Sequence, residues 1–249
     1  MKKTGYNRSI NEEEEIKMKK IVISPSVMCA DLVNLEKSIK ELEEVGIDTL
    51  HIDIIDGLFS PSMPLGIDTV KKLRQITSMD FDVHIMSMDN ELFIQEMINI
   101  GVESITFHYE SSFHMDRLIN LVKKSGTKVG VALNPATSLS VLEYILPQCD
   151  SILLMLINPG FATDKNEKQV SYAEKKVKDL HKMIKKNNLE TIIQVDGRVS
   201  LDTIPGLVAA GADSLVAGST RLFIPGQTIE ENKKLLDLSI IEGLKGVVE

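Results

Sequence analysis

Eight short runs rich in β-branched and other apolar residues alternate with longer amphipathic runs along most of this chain. The short runs predict strands at residues 21–24, 49–53, 80–84, 104–108, 128–133, 151–155, 191–195 and 214–217. Most of the connections are long enough for a helix, as parallel strands require because the chain must cross back over the sheet. Eight such units of about 25 to 30 residues predict one (β/α)8 TIM barrel of the α/β class, not an open doubly wound sheet.

The amphipathic runs predict the helices. They cover residues 32–45, 70–76, 92–100, 118–122, 177–184 and 230–242, and in the first run apolar residues recur every three or four positions. Several helices are followed by a glycine, which suits a left-handed cap where the helix ends; these are Gly46, Gly101, Gly126 and Gly211. The 249 residues and the 43% apolar content are enough for one buried core.

The two ends of the chain differ in composition. Residues 1–20 are polar and include Glu12 to Glu15, so we expect a mobile tail, with residues 21–249 as the barrel domain; Met18 is a second candidate start. The formal charge of −8 and the lack of a basic block argue against nucleic-acid binding, and no apolar run is long enough to span a membrane. Cys29 and Cys149 are too few for a disulfide framework, which favours a cytoplasmic location.

Polar residues stand at the carboxyl ends of three predicted strands, where the active sites of such barrels lie. His51 and Asp53 end the second strand and point to the same face because they are two residues apart. His84 ends the third strand and Asp196 the seventh. A single histidine here is more often structural, but two imidazoles and two carboxylates together predict a site for Zn²⁺, Mn²⁺, Fe²⁺ or Co²⁺ rather than Mg²⁺ or Ca²⁺.

At these residues the chain resembles the ribulose-phosphate 3-epimerase family, which includes the allulose-6-phosphate 3-epimerases. The resemblance runs from residue 21 to about residue 223 as an ordered set of short motifs. These are Ile23-Ser24-Pro25-Ser26, His51-Ile52-Asp53-Ile54-Ile55-Asp56-Gly57, Asp82-Val83-His84-Ile85-Met86, Leu133-Asn134-Pro135-Ala136-Thr137, Met155-Leu156-Ile157-Asn158-Pro159-Gly160-Phe161, Val195-Asp196-Gly197 and Ala217-Gly218-Ser219.

The resemblance implies a metal-dependent epimerase acting on a small ketose phosphate. It assigns His51, Asp53, His84 and Asp196 to one divalent metal ion, and Asp53 and Asp196 also to acid–base catalysis. One aspartate would remove the C3 proton and the other would return a proton on the opposite face of a cis-enediolate, so that C3 is inverted. Family members are often homo-oligomers, which makes a homo-oligomer the expectation here.

The resemblance also names residues that would contact the substrate. Ser26 either contacts substrate hydroxyls or caps the first helix, and Met86 and Met155 either line the site or pack in the core. Gly160 belongs to the loop after the sixth strand, which acts as a lid in the family. In barrels of this kind the loops after strands seven and eight commonly hold a phosphate. We therefore expect Gly197, Gly218 and Ser219 to bind the phosphate group.

Three stretches depart from the family pattern. The lid carries Ala162-Thr163-Asp164-Lys165 in place of a glycine-rich segment, which predicts a stiffer lid and weaker phosphate binding. Arg198 replaces a small residue, and its guanidinium either pairs with the phosphate or faces solvent. The second-strand motif continues as Leu58-Phe59-Ser60-Pro61-Ser62. Met28-Cys29 and the Gly160-Phe161-Ala162 lid are closer to the allulose-6-phosphate branch, so ribulose 5-phosphate and allulose 6-phosphate both remain open.

Two other classes of function compete with this interpretation. The orotidine-phosphate decarboxylase and hexulose-phosphate synthase group needs a lysine within an Asp-x-Lys-x-x-Asp array, whereas this chain has Asp53-Ile54-Ile55-Asp56. A catalytically inactive sugar-phosphate sensor is suggested by the altered lid, but the retention of both aspartates argues against it.

Overall fold

The strands of the protein close into a parallel barrel. The computed structural model describes residues 20–161, 164 and 166–246. Its strands are β1 (Val22–Pro25), β2 (Thr49–Ile55), β3 (Asp80–Met86), β4 (Ser104–His108), β5 (Lys128–Leu133), β6 (Ser151–Met155), β7 (Ile192–Asp196) and β8 (Ser214–Ala217). They pair in the order β1-β8-β7-β6-β5-β4-β3-β2. A parallel bridge between Ser26 and His51 joins the region after β1 to β2, so the predicted barrel is confirmed.

Helices surround the strands. They are α1 (Leu35–Glu44), α2 (Ile67–Ile76), α3 (Asn90–Ile100), α4 (Met115–Lys124), α5 (Ala173–Lys186), α6 (Ile204–Ala210) and α7 (Ile229–Lys245). Short 3-10 helices cover Val27–Cys29, Tyr109–Ser111, Leu139–Leu142 and Leu146–Gln148. The last helix begins with a capping box in which Thr228 and Glu231 each accept from the other's backbone N–H. Gly46, Gly101, Gly126 and Gly211 all have positive φ, as expected of residues that end helices.

Two connections differ from the sequence expectation. Between β5 and β6 the chain forms two 3-10 helices rather than an α-helix, and Pro147 within the second cannot donate a backbone hydrogen bond. Helix α6 was not predicted, because Pro205 and Gly206 stand in its first turn and its other residues are apolar, which gives no amphipathic repeat. The remaining strand ends lie within one or two residues of their predicted positions.

The main core lies between the barrel and its helices, where side chains such as Phe81, Phe107 and Ile119 are fully buried. Inside the barrel the filling is partly polar. Asp82 on β3 accepts hydrogen bonds from Ser104 Oγ at 2.9 Å and Gln194 Nε2 at 2.5 Å. This buried carboxylate lies one layer below the mouth, because strand residues two apart project to the same side and the next inward residue is His84.

Several expectations fall on residues outside this description. The polar tail is one of them, since only Lys20 of residues 1–20 is described, and Ala162, Thr163 and Lys165 of the altered lid are others. Within the described part of the chain, no helix is both long and apolar enough to cross a membrane.

Candidate active site

The structure brings the four predicted metal ligands together at the mouth of the barrel. His51, Asp53, His84 and Asp196 each offer one ligand atom, and these atoms all lie within 4.8 Å of one another. The register explains half of this cluster, because Asp53 on β2 is the direct partner of His84 on β3. Asp196 ends β7 on another part of the barrel wall. Closure of the sheet is therefore what places the fourth residue beside the other three.

Two ring nitrogens and one carboxylate oxygen form the centre of the cluster. Asp53 Oδ1 lies 3.4 Å from His51 Nε2 and 3.4 Å from His84 Nδ1, while Asp196 Oδ2 lies 3.9 Å from His84 Nδ1. Both ring nitrogens are fully buried, and within the described part of the chain neither has a hydrogen-bond partner. Buried polar atoms are normally satisfied, so two lone unpaired nitrogens aimed at two carboxylates are the mark of a cation site.

The other ring nitrogen of His51 is hydrogen-bonded to Asp82. Nδ1 of His51 lies 2.8 Å from Oδ2 of Asp82. A carboxylate can only accept, so Nδ1 carries a proton, and in the neutral ring the lone pair of Nε2 faces the cluster. A carboxylate behind a metal-binding histidine commonly fixes both its tautomer and its orientation.

Burial and close charges shift every pKa in the cluster. Burial alone would raise the pKa of Asp53, but the nearby charge of His51 holds it well below its usual range. Burial raises the pKa of Asp196 to about 7, and the charge of Asp53 adds to the effect. Burial alone would lower the pKa of His51, but Asp53 and Asp82 raise it well above its usual value. Burial lowers the pKa of His84 to about 4. Four ionisable groups so strongly perturbed at one point indicate a functional site.

These residues fit a divalent transition metal. With an ion bound in place of the second proton of His51, the set would supply two neutral imidazole nitrogens and two carboxylates, a mixture that suits Zn²⁺, Mn²⁺, Fe²⁺ or Co²⁺. The carboxylates carry the negative charge that a dication needs. Burying two carboxylates side by side without a cation costs about several kcal/mol, as it does for other unpaired buried ions.

A cleft opens above the cluster, and every predicted substrate residue lines it. Ser26, Met86 and Met155 form its floor and walls together with Asp53 and Asp196. The loops above β6, β7 and β8 contribute Gly160, Gly197, Arg198, Gly218 and Ser219. The structure adds residues that the sequence analysis did not assign to the site, namely Met28, Cys29, Ile55, Ile157, Val199, Val216 and Thr220.

Ser26 binds a catalytic candidate rather than capping a helix. Its Oγ donates a 2.7 Å hydrogen bond to Oδ2 of Asp53, and it makes no side-chain cap to the 3-10 helix Val27–Cys29. The bond leaves Oδ1 of Asp53 facing the two ring nitrogens.

Close packing explains two of the glycines in the cleft. Gly197 has φ of 115°, and a Cβ there would lie 2.7 Å from Cγ1 of Ile157. Gly160 has φ of 82°, and a Cβ there would lie 1.4 Å from Oγ of Ser60, which donates to the carbonyl of Pro159. Both positions require glycine, because only glycine combines positive φ with this space.

Arg198 lies at the junction of the two loops that differ from the family. It adopts φ of 53°, unusual for a residue with a side chain, and its Nη2 donates a 2.6 Å hydrogen bond to the carbonyl of Asp164. Its Nε is buried and has no hydrogen-bond partner among the residues that the structure describes. The side chain thus lines the cleft and contacts the lid. The carboxylate of Asp164 accepts from the backbone N–H of Asn166 within its own turn.

The sequence analysis missed His108 and Glu110. His108 ends β4 and is fully buried, with Nε2 lying 2.9 Å from Nε2 of His84. Burial lowers its pKa, as it does for His84, so both rings are neutral. The signal was available, because His108 is a polar residue at the carboxyl end of a predicted strand, the same criterion that identified His84.

Comparisons with known proteins agree with this geometry. A family model described as the ribulose-phosphate 3 epimerase family matches residues 22–222. A ribulose-phosphate 3-epimerase of Methanocaldococcus jannaschii is 40% identical over 199 residues, covering 80% of this chain and 83% of that protein. The ribulose-phosphate 3-epimerase of Escherichia coli K12 is 34% identical over 221 residues, covering 88% of this chain and 95% of that protein.

A solved structure shows the same fold at low sequence identity. The 3-hexulose-6-phosphate synthase of Salmonella typhimurium matches with a TM-score of 0.65 and 14% identity, covering 90% of this chain and 100% of that one. At that identity the match speaks for the barrel alone.

Proposed function

The chain belongs to the ribulose-phosphate 3-epimerase family, and we propose that it is an isomerase that inverts C3 of D-ribulose 5-phosphate to give D-xylulose 5-phosphate. The observation that carries the proposal is the meeting of Asp53 and Asp196 with His51 and His84 in one cleft. Inversion needs a proton acceptor and a proton donor on opposite faces of one carbon, and two carboxylates beside one cation site meet that need.

We propose that His51, Asp53, His84 and Asp196 hold one divalent ion, with Zn²⁺, Mn²⁺, Fe²⁺ and Co²⁺ as the candidates. When bound, such an ion would stabilise the negative charge that develops on the oxygen of the substrate as its C3 proton leaves. With the ion bound, His51 and His84 would be neutral nitrogen ligands and would take no part in proton transfer, since one nitrogen of each faces the cluster and the other is engaged.

Asp53 and Asp196 carry out the proton transfers. One carboxylate removes the proton from C3 on one face, and the other delivers a proton to C3 on the opposite face. Because epimerisation runs in both directions, each carboxylate serves as acid in one direction and as base in the other. Ser26 steadies Asp53 by its hydrogen bond to Oδ2, which leaves Oδ1 directed at the cluster.

Apolar side chains keep water from the reacting carbon. Met86 and Met155 are 2% and 3% exposed, and Ile55 lies with them in the cleft wall. A low-dielectric wall strengthens the interaction between charges in the site. It also limits the loss of a carbanion-like species to solvent protons.

The phosphate group would bind at the loops after β7 and β8. Gly197, Arg198, Gly218 and Ser219 line this end of the cleft. A chain with a formal charge of −8 must hold an anion by local groups, and Arg198 offers a guanidinium with a buried, unpaired Nε–H. Thr220 Oγ1 donates to the carbonyl of Val199 at 2.7 Å, which ties the two loops together.

Allulose 6-phosphate is a second candidate substrate, because Met28 and Cys29 line the cleft and resemble that branch of the family. The names of the relatives reported above favour ribulose 5-phosphate. An inactive sensor keeps the ligand but loses the chemistry, and the intact pair of aspartates argues against it.

We propose that the protein works as a homo-oligomer in a reducing cytoplasm, with residues 21–249 as its catalytic domain and with no nucleic-acid or membrane partner. Apolar side chains are exposed on the connections after three neighbouring strands; these are Leu58, Met63, Met88 and Phe113, at 80%, 69%, 50% and 92% exposure. A second copy of the chain would cover them. Sedimentation velocity that reports only monomer at micromolar concentration would contradict this proposal.

Turnover of the two sugars tests the function. The metal-reconstituted protein is mixed with ribulose 5-phosphate or allulose 6-phosphate, and the C3 epimer is followed by proton NMR. Faster conversion of ribulose 5-phosphate supports the first proposal, and faster conversion of allulose 6-phosphate supports the second. Saturable binding of either sugar without conversion, in a sample shown to hold metal, would favour the sensor.

A further inference from the structure

A chain of hydrogen bonds runs behind His84, away from the cleft. Nε2 of His84 lies 2.9 Å from Nε2 of His108, and Nδ1 of His108 lies 3.1 Å from Oε2 of Glu110. The two rings pack with their centroids 5.1 Å apart. None of these groups except His84 belongs to the metal cluster, and the proposed reaction uses neither His108 nor Glu110.

The carboxylate at the end of the chain sets its direction. Glu110 can only accept, so Nδ1 of His108 donates to it and Nε2 of His108 is left as an acceptor. Nε2 of His84 must then donate to Nε2 of His108. The opposite arrangement would set Nδ1 of His108 and the carboxylate face to face as two acceptors. The result is that the lone pair of His84 lies on Nδ1, the nitrogen that faces Asp53 and Asp196.

Glu110 is itself held by the loop after β5. Its Oε1 accepts from the backbone N–H of Asn134 at 2.7 Å and from the hydroxyl of Thr137. Nζ of Lys176 on α5 donates to the carbonyls of Asn134 and Pro135, at 2.8 and 2.9 Å, which fixes this loop. Burial alone would raise the pKa of Glu110, but the hydrogen bonds it receives lower that pKa to about 2, so the carboxylate is ionised.

The ring of His108 is also covered by an aromatic side chain. Phe59, on the loop after β2, packs against it with centroids 4.6 Å apart, and His108 is 0% exposed. Water therefore does not replace Glu110 as its partner. These contacts give a physical role to the sequence motif at residues 133–137, none of whose residues lines the cleft.

We propose that His108 and Glu110 are positioning residues that fix the tautomer and the ring orientation of His84, and thereby set the affinity of the site for its divalent metal. The inference rests on the metal site of the proposed function. It assigns to His84 the same kind of support that Asp82 gives to His51, but through one additional imidazole. Outer partners of metal-binding histidines typically contribute about 10- to 100-fold in metal affinity.

Four variants and two measurements test this role. Glu110→Ala and His108→Phe remove the acceptor at each step of the chain, while Glu110→Gln keeps an amide oxygen that can still accept. Ser111→Ala is the matched control. Ser111 is buried in the same 3-10 helix as Glu110 and accepts a hydrogen bond from Asn90, but it takes no part in the hydrogen bonds that link Glu110, His108 and His84. The metal-free proteins are titrated with Co²⁺ against a chromophoric chelator, and the His84 tautomer is read from long-range ¹⁵N–¹H spectra of the metal-free state.

We expect Glu110→Ala and His108→Phe to weaken Co²⁺ binding about 10- to 100-fold. Glu110→Gln should recover part of that loss. The Co²⁺ affinity of Ser111→Ala should stay within about twofold of that of the unmodified protein, because Ser111 does not support a metal-binding histidine. In the unmodified protein the proton of His84 should reside on Nε2. In His108→Phe this tautomer should no longer be the only one present. Thermal unfolding of the metal-free variants shows whether each one is folded. If Glu110→Ala is unfolded, the Co²⁺ affinity of His108→Phe still tests the inference.

Two results would overturn the inference: Co²⁺ affinities of Glu110→Ala and His108→Phe within twofold of the unmodified protein, or a His84 proton on Nδ1. An unmodified protein that binds no Co²⁺ would instead remove the metal from the proposed function. In that case the tautomer measurement alone decides the positioning role. The two proposals can therefore fail separately.

Discussion

Oγ of Ser26 donates a 2.7 Å hydrogen bond to Oδ2 of Asp53. The bond joins the turn after β1 to the end of β2 across the point where the barrel closes. Asp53 has one oxygen bound to Ser26 and the other facing His51 and His84, so its carboxylate plane is fixed before any ligand arrives. Preorganised charge of this kind contributes more to catalysis than a carboxylate that is free to rotate.

Removal of that hydroxyl should slow the reaction. A hydrogen bond to a charged group contributes about 1.5 to 3 kcal/mol, so Ser26→Ala should lower kcat about 10- to 100-fold. Ser24→Ala is the matched control, because Ser24 is also buried and lies on β1, two residues before Ser26, with its Oγ 3.5 Å from Oγ of Ser214. Steady-state kinetics on both variants check this. Equal kcat values for the two would show that Asp53 does not depend on Ser26.

The guanidinium of Arg198 can be tested without disturbing its loop. Arg198 has φ of 53°, a conformation that glycine adopts without strain, so Arg198→Gly removes the side chain and keeps the backbone. We expect KM for the sugar phosphate to rise about tenfold or more with little change in kcat, since a charged hydrogen bond to the phosphate is lost. Activity toward ribulose without phosphate should not change. An unchanged KM for the phosphorylated sugar would contradict a phosphate contact and would leave Arg198 only its hydrogen bond to the lid at Asp164.

Metal binding should stabilise the fold. A ligand present at a hundredfold excess over its Kd adds about 2.7 kcal/mol to the free energy of unfolding. Thermal unfolding in chelator and after addition of Zn²⁺, Mn²⁺, Fe²⁺ or Co²⁺ measures the difference. Asp53→Asn removes a charged ligand of the cluster and should lose most of the metal-dependent shift. A shift of equal size in that variant would place the binding elsewhere.

The raised pKa of Asp196 predicts how the stability of the chelator-treated protein depends on pH. Its pKa rises from a usual value of 3.8 to about 7 because of burial and the charge of Asp53. A carboxyl with a raised pKa stabilises the fold below its unfolded pKa, and that contribution is lost as pH rises through the folded pKa. Asp196→Asn lacks this group, so its stability relative to the unmodified protein should increase from about pH 4 to about pH 8. Urea unfolding in chelator measures this, and a constant difference across that range would contradict the assignment.

Much of the fold and the metal cluster could be predicted from the sequence, because strands, helices and the faces on which their side chains lie follow from the spacing of residues that are close along the chain. The two-residue spacing of His51 and Asp53 predicts a shared face, and the structure confirms it. The helix α6 could not be predicted in this way, since residues 204–210 contain Pro205, Gly206 and otherwise only apolar residues. Such a segment carries no polar face from which a helical period can be measured.

The support behind the cluster could not be predicted, because it depends on contacts between strands. The register pairs His84 with Thr106. His108 is the next residue of β4 on the same side of the sheet as Thr106, and this places it beside the ring of His84. No spacing along the chain fixes that register. Similarly, Ser26 reaches Asp53 only because the barrel closes between β1 and β2. Local patterns therefore identified four of the residues at the strand ends and could also have identified His108, while closure and register decided which of them meet.

The central claim is that two carboxylates exchange protons with C3 on opposite faces, and deuterium incorporation tests it most directly. The metal-reconstituted protein is incubated in D2O with ribulose 5-phosphate, and C3 of both epimers is followed by NMR, with Asp53→Asn and Asp196→Asn run beside it. Asp150→Asn, whose carboxylate accepts from the backbone N–H of Val129 where β5 begins, is the control. The account predicts that newly formed xylulose 5-phosphate carries deuterium at C3, that Asp53→Asn and Asp196→Asn form no epimer, and that Asp150→Asn remains active. Product that retains the original proton at C3, or full epimerisation by either Asp53→Asn or Asp196→Asn, would contradict it.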